Sequence, residues 1–404
     1  MHASDEHWMR RAIRLAMNGR GRVEPNPMVG CVIVKDGRSI GEGHHQQFGG
    51  PHAEPNALAN CTESPAGATA YVTLEPCCHT NKKTPPCVPK LIEAKVRRVV
   101  IGCLDPNPMV NGQGAAQLRA AGIEVVAPVA KGECRQLIEP FWKFATGTHP
   151  YVTLKWAETA DGKVAGPGGV RTQISGPAAS NLVHRLRAKC DAIVVGIGTV
   201  LRDDPLLTPR DVPLRDKPLR IVLDRRRRIP LDSQLVKTAR QWPTAVVSNH
   251  FHDPLHPPDA LLKRGLLLHG HDVGGTTDDE DLLIALEDIM RDELNLREVL
   301  VEAGPTLATR FFSLGRVDRL WVFRSPVRVD DPSAPAAAKV PDWLLPTGSL
   351  RVGDDMLTEY RARLYDDATG AEFAPAASAD FVLAAESAAA SGRADGMMSP
   401  ERTR

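Results

Sequence analysis

Apolar positions along this chain recur with two spacings, which alternate from segment to segment as an α/β protein requires. Between Asp5 and Met17, residues Trp8, Ala12, Leu15 and Ala16 fall on one helical face. Ser4 precedes them, where an N-cap oxygen accepts an otherwise free amide. Val29–Val34 is too short for a helix and reads as a buried strand. Lys35-Asp36-Gly37 then turns the chain toward a partner strand near Ile40. Glu54–Asn60 reads as a helix with His52 and Glu54 at its start. Ala70–Leu74 is the next strand, and Cys77 follows its C-terminal end. A helix, the strand Val99–Gly102, a helix over Ala115–Ala121 and a strand over Ile123–Val126 complete a domain by about residue 140.

Glu139–Pro150 reads as a linker carrying Phe141, Trp142 and Phe144. A second α/β pattern follows, with strands over Tyr151–Trp156, Ala192–Gly196, Leu219–Leu223, Ala245–Ser248, Val299–Glu302 and Arg319–Phe323. From Asp366 the chain turns Ala-rich with scattered charge, a composition that favours disorder. The expected division is therefore 1–148, 149–365 and a disordered tail, 366–404.

Net charge is +1 over 404 residues, without a long basic stripe, which argues against a nucleic-acid surface. Arg225–Arg228 is the one sharp cationic run and reads as a solvated turn after a strand. No stretch approaches the roughly 18 apolar residues of a membrane span. Met1–Glu6 lacks the basic and apolar regions of a signal peptide, so a cytoplasmic location is expected. Eight cysteines in so long a chain read as reduced thiols.

The chemistry is concentrated in Pro51-His52-Ala53-Glu54 and in Glu75-Pro76-Cys77 through Thr84-Pro85-Pro86-Cys87. One imidazole and two thiolates offer zinc three ligands, leaving the fourth position open, as in a catalytic site. Glu54 is placed to shuttle protons without binding the metal. This is the zinc-deaminase pattern, His-x-Glu followed by Pro-Cys and a second Cys. Nine residues separate Cys77 from Cys87 where two are usual. Two plainer readings stand beside it: a closed structural zinc site with Cys78 or His79 as fourth ligand, and two buried cysteines with a surface histidine.

Residues 150–330 hold no Gly-x-Gly-x-x-Gly after a strand, so an ordinary Rossmann site is not expected. Lys155-Trp156-Ala157 with Asp161-Gly162-Lys163, Gly196–Val200 with Asp203-Asp204-Pro205, and Glu302–Thr306 each end a strand. The last two expose backbone amides at helix starts, which suits a pyrophosphate. Arg187 and Arg210 offer charge for a phosphate. The alternative is that these glycines only make tight turns.

Taken together, these motifs resemble the bifunctional riboflavin-biosynthesis family, a pyrimidine deaminase fused to a reductase. The resemblance is carried by Asn26–Cys31, Gly41–His45, His52–Glu54, Pro76-Cys77, Thr84–Cys87 and Asp105–Pro108 in the first half. In the second half it is carried by Lys155, Asp161-Gly162, Gly196, Thr199, Asp203–Pro205 and Glu302–Thr306, and it spans about residues 5 to 360. It implies a cytidine-deaminase-like three-layer α/β/α domain and a dihydrofolate-reductase-like α/β domain. The first would deaminate 2,5-diamino-6-(5-phosphoribosylamino)pyrimidin-4(3H)-one with Zn2+; the second would reduce ribosyl to ribityl with NADPH. It further implies His52, Cys77 and Cys87 as ligands and Glu54 as proton shuttle. Asn26, His45, Lys83 and Asn107 match positions that hold the deaminase substrate. Arg187, Leu207, Arg210 and Glu302 match reductase-substrate positions. Ala157, Gln173, Thr199, Asp203 and the run Gly304, Pro305, Thr306, Leu307, Ala308, Thr309 and Arg310 match NADPH positions. Lys155 and Asp161 are expected in the same site. A small-molecule substrate and a homo-oligomer are expected, with neither nucleic acid nor membrane as partner.

The chain departs from the family at several points. The loop between the cysteines is one residue longer than in the shorter family form, so Lys82 and Lys83 compete for one role, and Lys83 is preferred because it adjoins Thr84. Gln173 stands where many members carry an aromatic residue, Arg171 and Arg225 replace small polar residues, and 326–341 is unlike its usual counterpart. An Arg near the 2′-phosphate would suit NADPH. The rival readings are a deaminase with an inactive reductase-like domain, a nucleic-acid deaminase, and a non-catalytic zinc module. Cys31 and Cys103 read as core, Cys78 and His79 as neighbours that tune the metal, and His44 as exposed. Cys61, Cys134 and Cys190 have no partner at metal-ligand spacing, and His250, His252 and His256 read as a solvated loop.

Overall fold

The computed structural model describes residues 4–80, 84–146, 149–214, 216–249, 258–271, 283, 286, 288–365, 372–373, 375, 378, 380–385 and 387. Two compact units divide the chain. One is built on Met1–Thr148 and takes in Ser378–Leu383; the other is built on His149–Ala377. No described helix is long and apolar enough to cross a membrane.

The first unit runs α1 (Asp5–Met17), β1 (Gly30–Lys35), β2 (Arg38–His44), α2 (Ala53–Ala59), β3 (Thr69–Leu74), α3 (Cys87–Glu93), β4 (Arg98–Cys103), α4 (Gln113–Ala120), β5 (Glu124–Val126), α5 (Lys131–Leu137) and α6 (Glu139–Ala145). Ser4 caps α1, its oxygen accepting from the His7 amide at 3.3 Å. The sheet order is β2-β1-β3-β4-β5, with β1 antiparallel to both neighbours and β3, β4 and β5 parallel. Strand alternation sends Cys31 and Ile33 to one face, with Ala57, Leu91 and Leu118 from α2, α3 and α4. Val32 and Val34 go to the other, with Met9, Ala12 and Leu137 from α1 and α5. The result is a three-layer α/β/α sandwich with a core on each face of the sheet.

Gly43 lets α2 lie directly on β2. A Cβ there would collide with the Ala57 amide and the Ala53 carbonyl. This contact sets the height of α2, and with it His52 and Glu54, over the strand ends.

Two expectations for this unit change. The proposed linker begins as a helix, α6, and Arg135 lies over the Trp142 ring at 4.6 Å. The proposed disordered tail is helical over 380–385, with Phe381 buried. Within the first unit, the Arg20 fork donates to Asp380 at 2.8 and 3.1 Å, and both side chains are buried. The charge that made the segment look solvated is neutralised by a partner 360 residues away.

The second unit runs β6 (Tyr151–Glu158), α7 (Pro177–Lys189), β7 (Ala192–Gly196), α8 (Ile197–Asp203), β8 (Leu219–Leu223), α9 (Gln234–Lys237), β9 (Thr244–Asn249), α10 (Pro258–Leu262), β10 (Leu267–His271), β11 (Glu298–Glu302), α11 (Pro305–Ser313), β12 (Arg319–Arg324), β13 (Leu344–Val352) and β14 (Asp355–Ala362). The nine-stranded sheet has the order β10-β9-β8-β7-β11-β6-β12-β14-β13. Its strands are parallel from β10 to β12, and β14 and β13 add an antiparallel hairpin. The six expected strands all appear. Sequence reading missed β10 and the β13–β14 hairpin. β10 is an edge strand whose Leu267 is exposed, and β13 mixes Pro, Thr, Gly and Ser with its apolar positions, so neither carries a clean period.

The Arg225–Arg228 run is only in part a solvated turn. Arg227 is buried at a left-handed φ of 49° and donates to the Ser248 oxygen at 3.3 Å. The residues His250, His252 and His256 lie outside the described segments.

Candidate active sites

The C-terminal end of β3 and the N-terminal ends of α2 and α3 meet at one point. His52 is the N-cap of α2, and Cys87 is the first residue of α3. The Cys77 carbonyl accepts from the Cys87 amide at 3.0 Å and the Val88 amide at 3.2 Å. That pairing closes the long loop between the cysteines. The first turn of α3 docks on the backbone of Cys77, and the stiff Thr84-Pro85-Pro86 segment leads into it.

The donor set fits zinc. His52 Nδ1, Cys77 Sγ and Cys87 Sγ lie within 4.8 Å of one another, with Nδ1 3.5 Å from the first sulphur and 3.4 Å from the second. Tetrahedral zinc with ordinary Zn–S and Zn–N bonds requires an S···N separation of about 3.5 Å. His52 Nε2 faces the Thr84 hydroxyl at 3.1 Å. A proton on Nε2 donated to that oxygen leaves the Nδ1 lone pair for the metal. Replacing Thr84 by Val is expected to weaken zinc binding about 10-fold, read by competition with a chromophoric chelator. Unchanged affinity would remove Thr84 from this role.

Beside the triad lies a cavity of about 330 Å3 lined by Asn26, His45, His52, Glu54, Cys77, His79 and Asn107, among others. Glu54 is buried. Burial pushes its carboxyl above the ordinary range, and the Cys77 sulphur pushes the same way. The His45 tautomer is set by its surroundings. Its Nδ1 donates to the Pro51 carbonyl at 2.9 Å, so Nε2 accepts from the Asn26 amide at 3.2 Å. Asn107 is positioned from the end of β4. Its amide donates to Asp105 at 2.9 Å, and its own Oδ1 accepts from the Met109 amide at 3.0 Å. The expected residues Asn26, His45 and Asn107 therefore share one cavity with Glu54 and the ligand triad, while Lys83 lies outside the described residues.

Sequence reading overlooked Glu75 as a contributor to this site. It is buried and accepts from the amides of Asp105, Gly112 and Ala115 at 3.3, 2.9 and 2.9 Å. One carboxylate thus ties the Asn107 loop to the strand that leads to Cys77. The available signal was a Glu between a strand and the Pro-Cys pair. Of the two residues beside Cys77, His79 lines the cavity, and Cys78 points its sulphur toward the Met109 carbonyl at 3.9 Å. His44 is half-buried rather than exposed.

A second cavity, of about 510 Å3, lies at the C-terminal ends of β6, β7 and β11, where the strand order of the second sheet reverses. Parallel register sets Lys155 beside Glu302. Glu302 accepts from Lys155 Nζ at 3.0 Å and from Arg187 Nη2 at 2.9 Å. Burial alone would raise its carboxyl, but Arg187 and Lys155 outweigh it and hold the group below the ordinary carboxylate range.

Ala157, Gln173, Thr199, Asp203, Gly304, Pro305, Thr306 and Leu307 line this cavity. The expected run ends there. Ala308 is buried in the core, and Thr309 turns its hydroxyl back to the Pro305 carbonyl at 2.9 Å. Arg310 is not among the lining residues. Asp161 is also elsewhere, bonded to the Thr159 hydroxyl at 2.7 Å and to the amides of Val329 and Asp330. Arg171 lines the cavity whereas Arg225 does not, and Arg202, which sequence reading passed over, lines it too. Arg187, Leu207 and Arg210, expected in the substrate site, are not among the lining residues of this cavity. Arg187 Nη1 donates to the Thr208 carbonyl at 3.3 Å, Leu207 is buried at φ 52°, and Arg210 is bonded to His184.

Residues 2–103 match the family model of the cytidine and deoxycytidylate deaminase zinc-binding region, and residues 150–336 match the RibD C-terminal domain. The riboflavin biosynthesis protein RibD of Actinobacillus pleuropneumoniae is 43% identical over 324 residues, which cover 80% of this chain and 84% of that protein. RibD of Escherichia coli K12 is 39% identical over 335 residues, covering 80% and 88%. Among solved structures, Acinetobacter baumannii RibD superposes with a TM-score of 0.73 at 35% identity, covering 89% of this chain and 98% of that one. A diaminohydroxyphosphoribosylaminopyrimidine deaminase/5-amino-6-(5-phosphoribosylamino)uracil reductase from Thermotoga maritima superposes with a TM-score of 0.72 at 34% identity and the same coverage.

Proposed function

This chain belongs to the RibD family of riboflavin biosynthesis proteins, a zinc-dependent deaminase and an NADPH-dependent reductase on one polypeptide, and from that premise we propose how its own residues divide the work. The substrate of the first step is 2,5-diamino-6-(5-phosphoribosylamino)pyrimidin-4(3H)-one; the second step reduces its ribosyl group to ribityl.

The observation that carries the deaminase assignment is the convergence of the His52, Cys77 and Cys87 ligand atoms with buried Glu54 on one cavity. Zinc, when bound, supplies the Lewis acidity that makes water nucleophilic near neutral pH. Glu54 takes a proton from the attacking water and returns it to the departing amine. Its burial supports this, because a desolvated carboxylate is a stronger base and takes the proton from water more readily. The ring is held by Asn26, whose Oδ1 remains to accept while its amide is committed to His45, and by Asn107 across the cavity. Lys83 completes the substrate set.

In the second unit, NADPH supplies the hydride when bound. Ala157, Gln173, Thr199, Asp203 and the segment from Gly304 to Leu307 hold it, with Arg171 and Arg202 offering positive charge to its phosphates. Glu302, kept ionised by Arg187 and Lys155, accepts from the ribosyl hydroxyls, and Arg187 and Arg210 attend the phosphate end. We also propose a cytoplasmic homo-oligomer with neither nucleic acid nor membrane as partner. The absence of a basic stripe and the open edge of β13 support this reading.

Turnover of zinc-loaded protein on the diaminopyrimidine phosphate tests both halves. Ammonia release without NADPH, followed by NADPH oxidation when the cofactor is added, is the expected result. Ammonia without NADPH oxidation would overturn the reductase assignment of residues, and neither signal would overturn both.

A further inference from the structure

We infer that His184 is a positioning residue of the reductase. It accepts from one edge of the Arg210 guanidinium so that the remaining N–H groups face the phosphate of the incoming substrate. The inference rests on the reading that Arg210 attends that phosphate.

The geometry starts from α7. His184 and Arg187 are three residues apart, hence on one helical face. Arg187 turns to Glu302 and to the Thr208 carbonyl, which holds the chain preceding Arg210 against the helix. Arg220 steadies the same stretch, donating to the Leu206 carbonyl at 3.0 Å from a fully buried side chain. This segment is costly to form, since Asp204, Leu207 and Asp211 all adopt left-handed φ values, of 40°, 52° and 55°. Arg210 then meets His184, its Nε at 3.3 Å and Nη2 at 3.2 Å from the imidazole Nε2.

Two donors converging on one ring nitrogen define the state of that ring. Nε2 accepts only if it carries no proton, so His184 is neutral with its proton on Nδ1. The buried Nδ1 has no hydrogen-bond partner among the described residues, and the electrostatics favour the neutral ring. Burial holds the imidazole below its ordinary value, Arg187 and Arg210 push the same way, and Glu302 and the Thr208 carbonyl oppose. An arginine fork binds phosphate through the plane and direction of its N–H groups. An acceptor that occupies the Nε–Nη2 edge fixes that plane and leaves Nη1 to point elsewhere. His184 is buried and does not line the cavity, whereas Arg210 is exposed, so the effect of His184 is exerted through Arg210.

The test compares His184→Phe, which keeps a ring but has no acceptor, with His184→Gln, whose Oε1 restores one. Each is assayed as the full zinc-loaded chain on the phosphorylated reductase substrate. Expected for His184→Phe is a KM about tenfold higher for that substrate, equivalent to about 1.4 kcal/mol, with a smaller change in kcat and in the KM for NADPH. His184→Gln is expected to recover most of the loss. Ammonia release by the same chains reports that the protein is folded. Arg210→Gln separates the two layers of the argument. If it raises the substrate KM and His184→Phe does not, the positioning role is wrong and the phosphate reading stands. If Arg210→Gln leaves KM unchanged, the phosphate reading fails and this inference falls with it. A His184→Phe chain that loses kcat, substrate KM and NADPH KM alike, without recovery in the Gln variant, would show a structural role only.

Discussion

Glu54→Gln is expected to slow ammonia release by about 10²–10⁴-fold, the range by which a positioned acid–base group accelerates proton transfer. The substitution keeps the shape of the side chain and removes its capacity to gain and lose a proton. Zinc content is expected to stay at the wild-type level, because the donor atoms that converge to fit a metal are those of His52, Cys77 and Cys87, and Glu54 is not among them. NADPH oxidation by the second unit, supplied with already deaminated substrate, is expected to be unaffected. Metal analysis and the two separate assays on one preparation check all three points. A variant that still released ammonia at more than about a tenth of the wild-type rate would remove Glu54 from the proton transfer. One that lost zinc would make Glu54 part of the metal site.

Glu302→Gln is the corresponding experiment in the second unit. It leaves Lys155 and Arg187 facing a neutral amide in a largely buried place. Removing one partner of a buried ionic cluster destabilises by about 3–5 kcal/mol. If the same group also orients substrate, reductase kcat/KM is expected to fall by roughly 10²–10³-fold, at about 1.4 kcal/mol per factor of ten. Ammonia release is expected to persist. The pH dependence has a definite sign. The folded carboxyl of Glu302 is lowered, so its stabilisation is fully present above the unfolded value of about 4.3 and is lost as pH falls below that toward the folded value. Chemical denaturation should therefore separate wild type from the variant at neutral pH, with the gap narrowing below about pH 4. A gap that stayed constant into acid would mean that the ionised carboxylate is not what stabilises this cluster.

Much of the first site was legible because its chemistry is local. His52 and Glu54 sit on one helix start, and Thr84-Pro85-Pro86-Cys87 is a stiff segment whose spacing does not depend on distant packing. The departure in cysteine spacing looked like an obstacle only because a sequence does not display the two amides by which α3 docks on the Cys77 carbonyl. Glu75 was passed over for the same reason, since its three partners are backbone amides 30 to 40 residues further on. In the second unit the run from Gly304 to Arg310 looked uniform, but a helix turns its residues away from a cavity by about 100° each. Ala308 therefore faces the core instead, and Thr309 turns its hydroxyl to the helix backbone.

The disordered-tail expectation changes over 380–385, where a long-range ion pair holds the segment. Composition alone had too little apolar bulk there to predict order, but Asp380 finds Arg20 and Phe381 finds a buried place in the first unit. Such contacts leave no periodic trace in the chain.

By itself, the sequence indicated most of the element types and singled out His52, Glu54, Cys77 and Cys87 as candidates, through short-range periodicity and residues close to one another along the chain. The two-enzyme character came from the resemblance of its ordered motifs to a family. Only the tertiary structure decided which strands are neighbours, and through that, which charges meet. Lys155, Arg187 and Glu302 come together because β11 inserts between β7 and β6, far from its place in chain order. His184 and Arg210 meet because a strained segment is held back against α7. Both outcomes depend on pairing between distant segments, which side-chain periodicity does not encode.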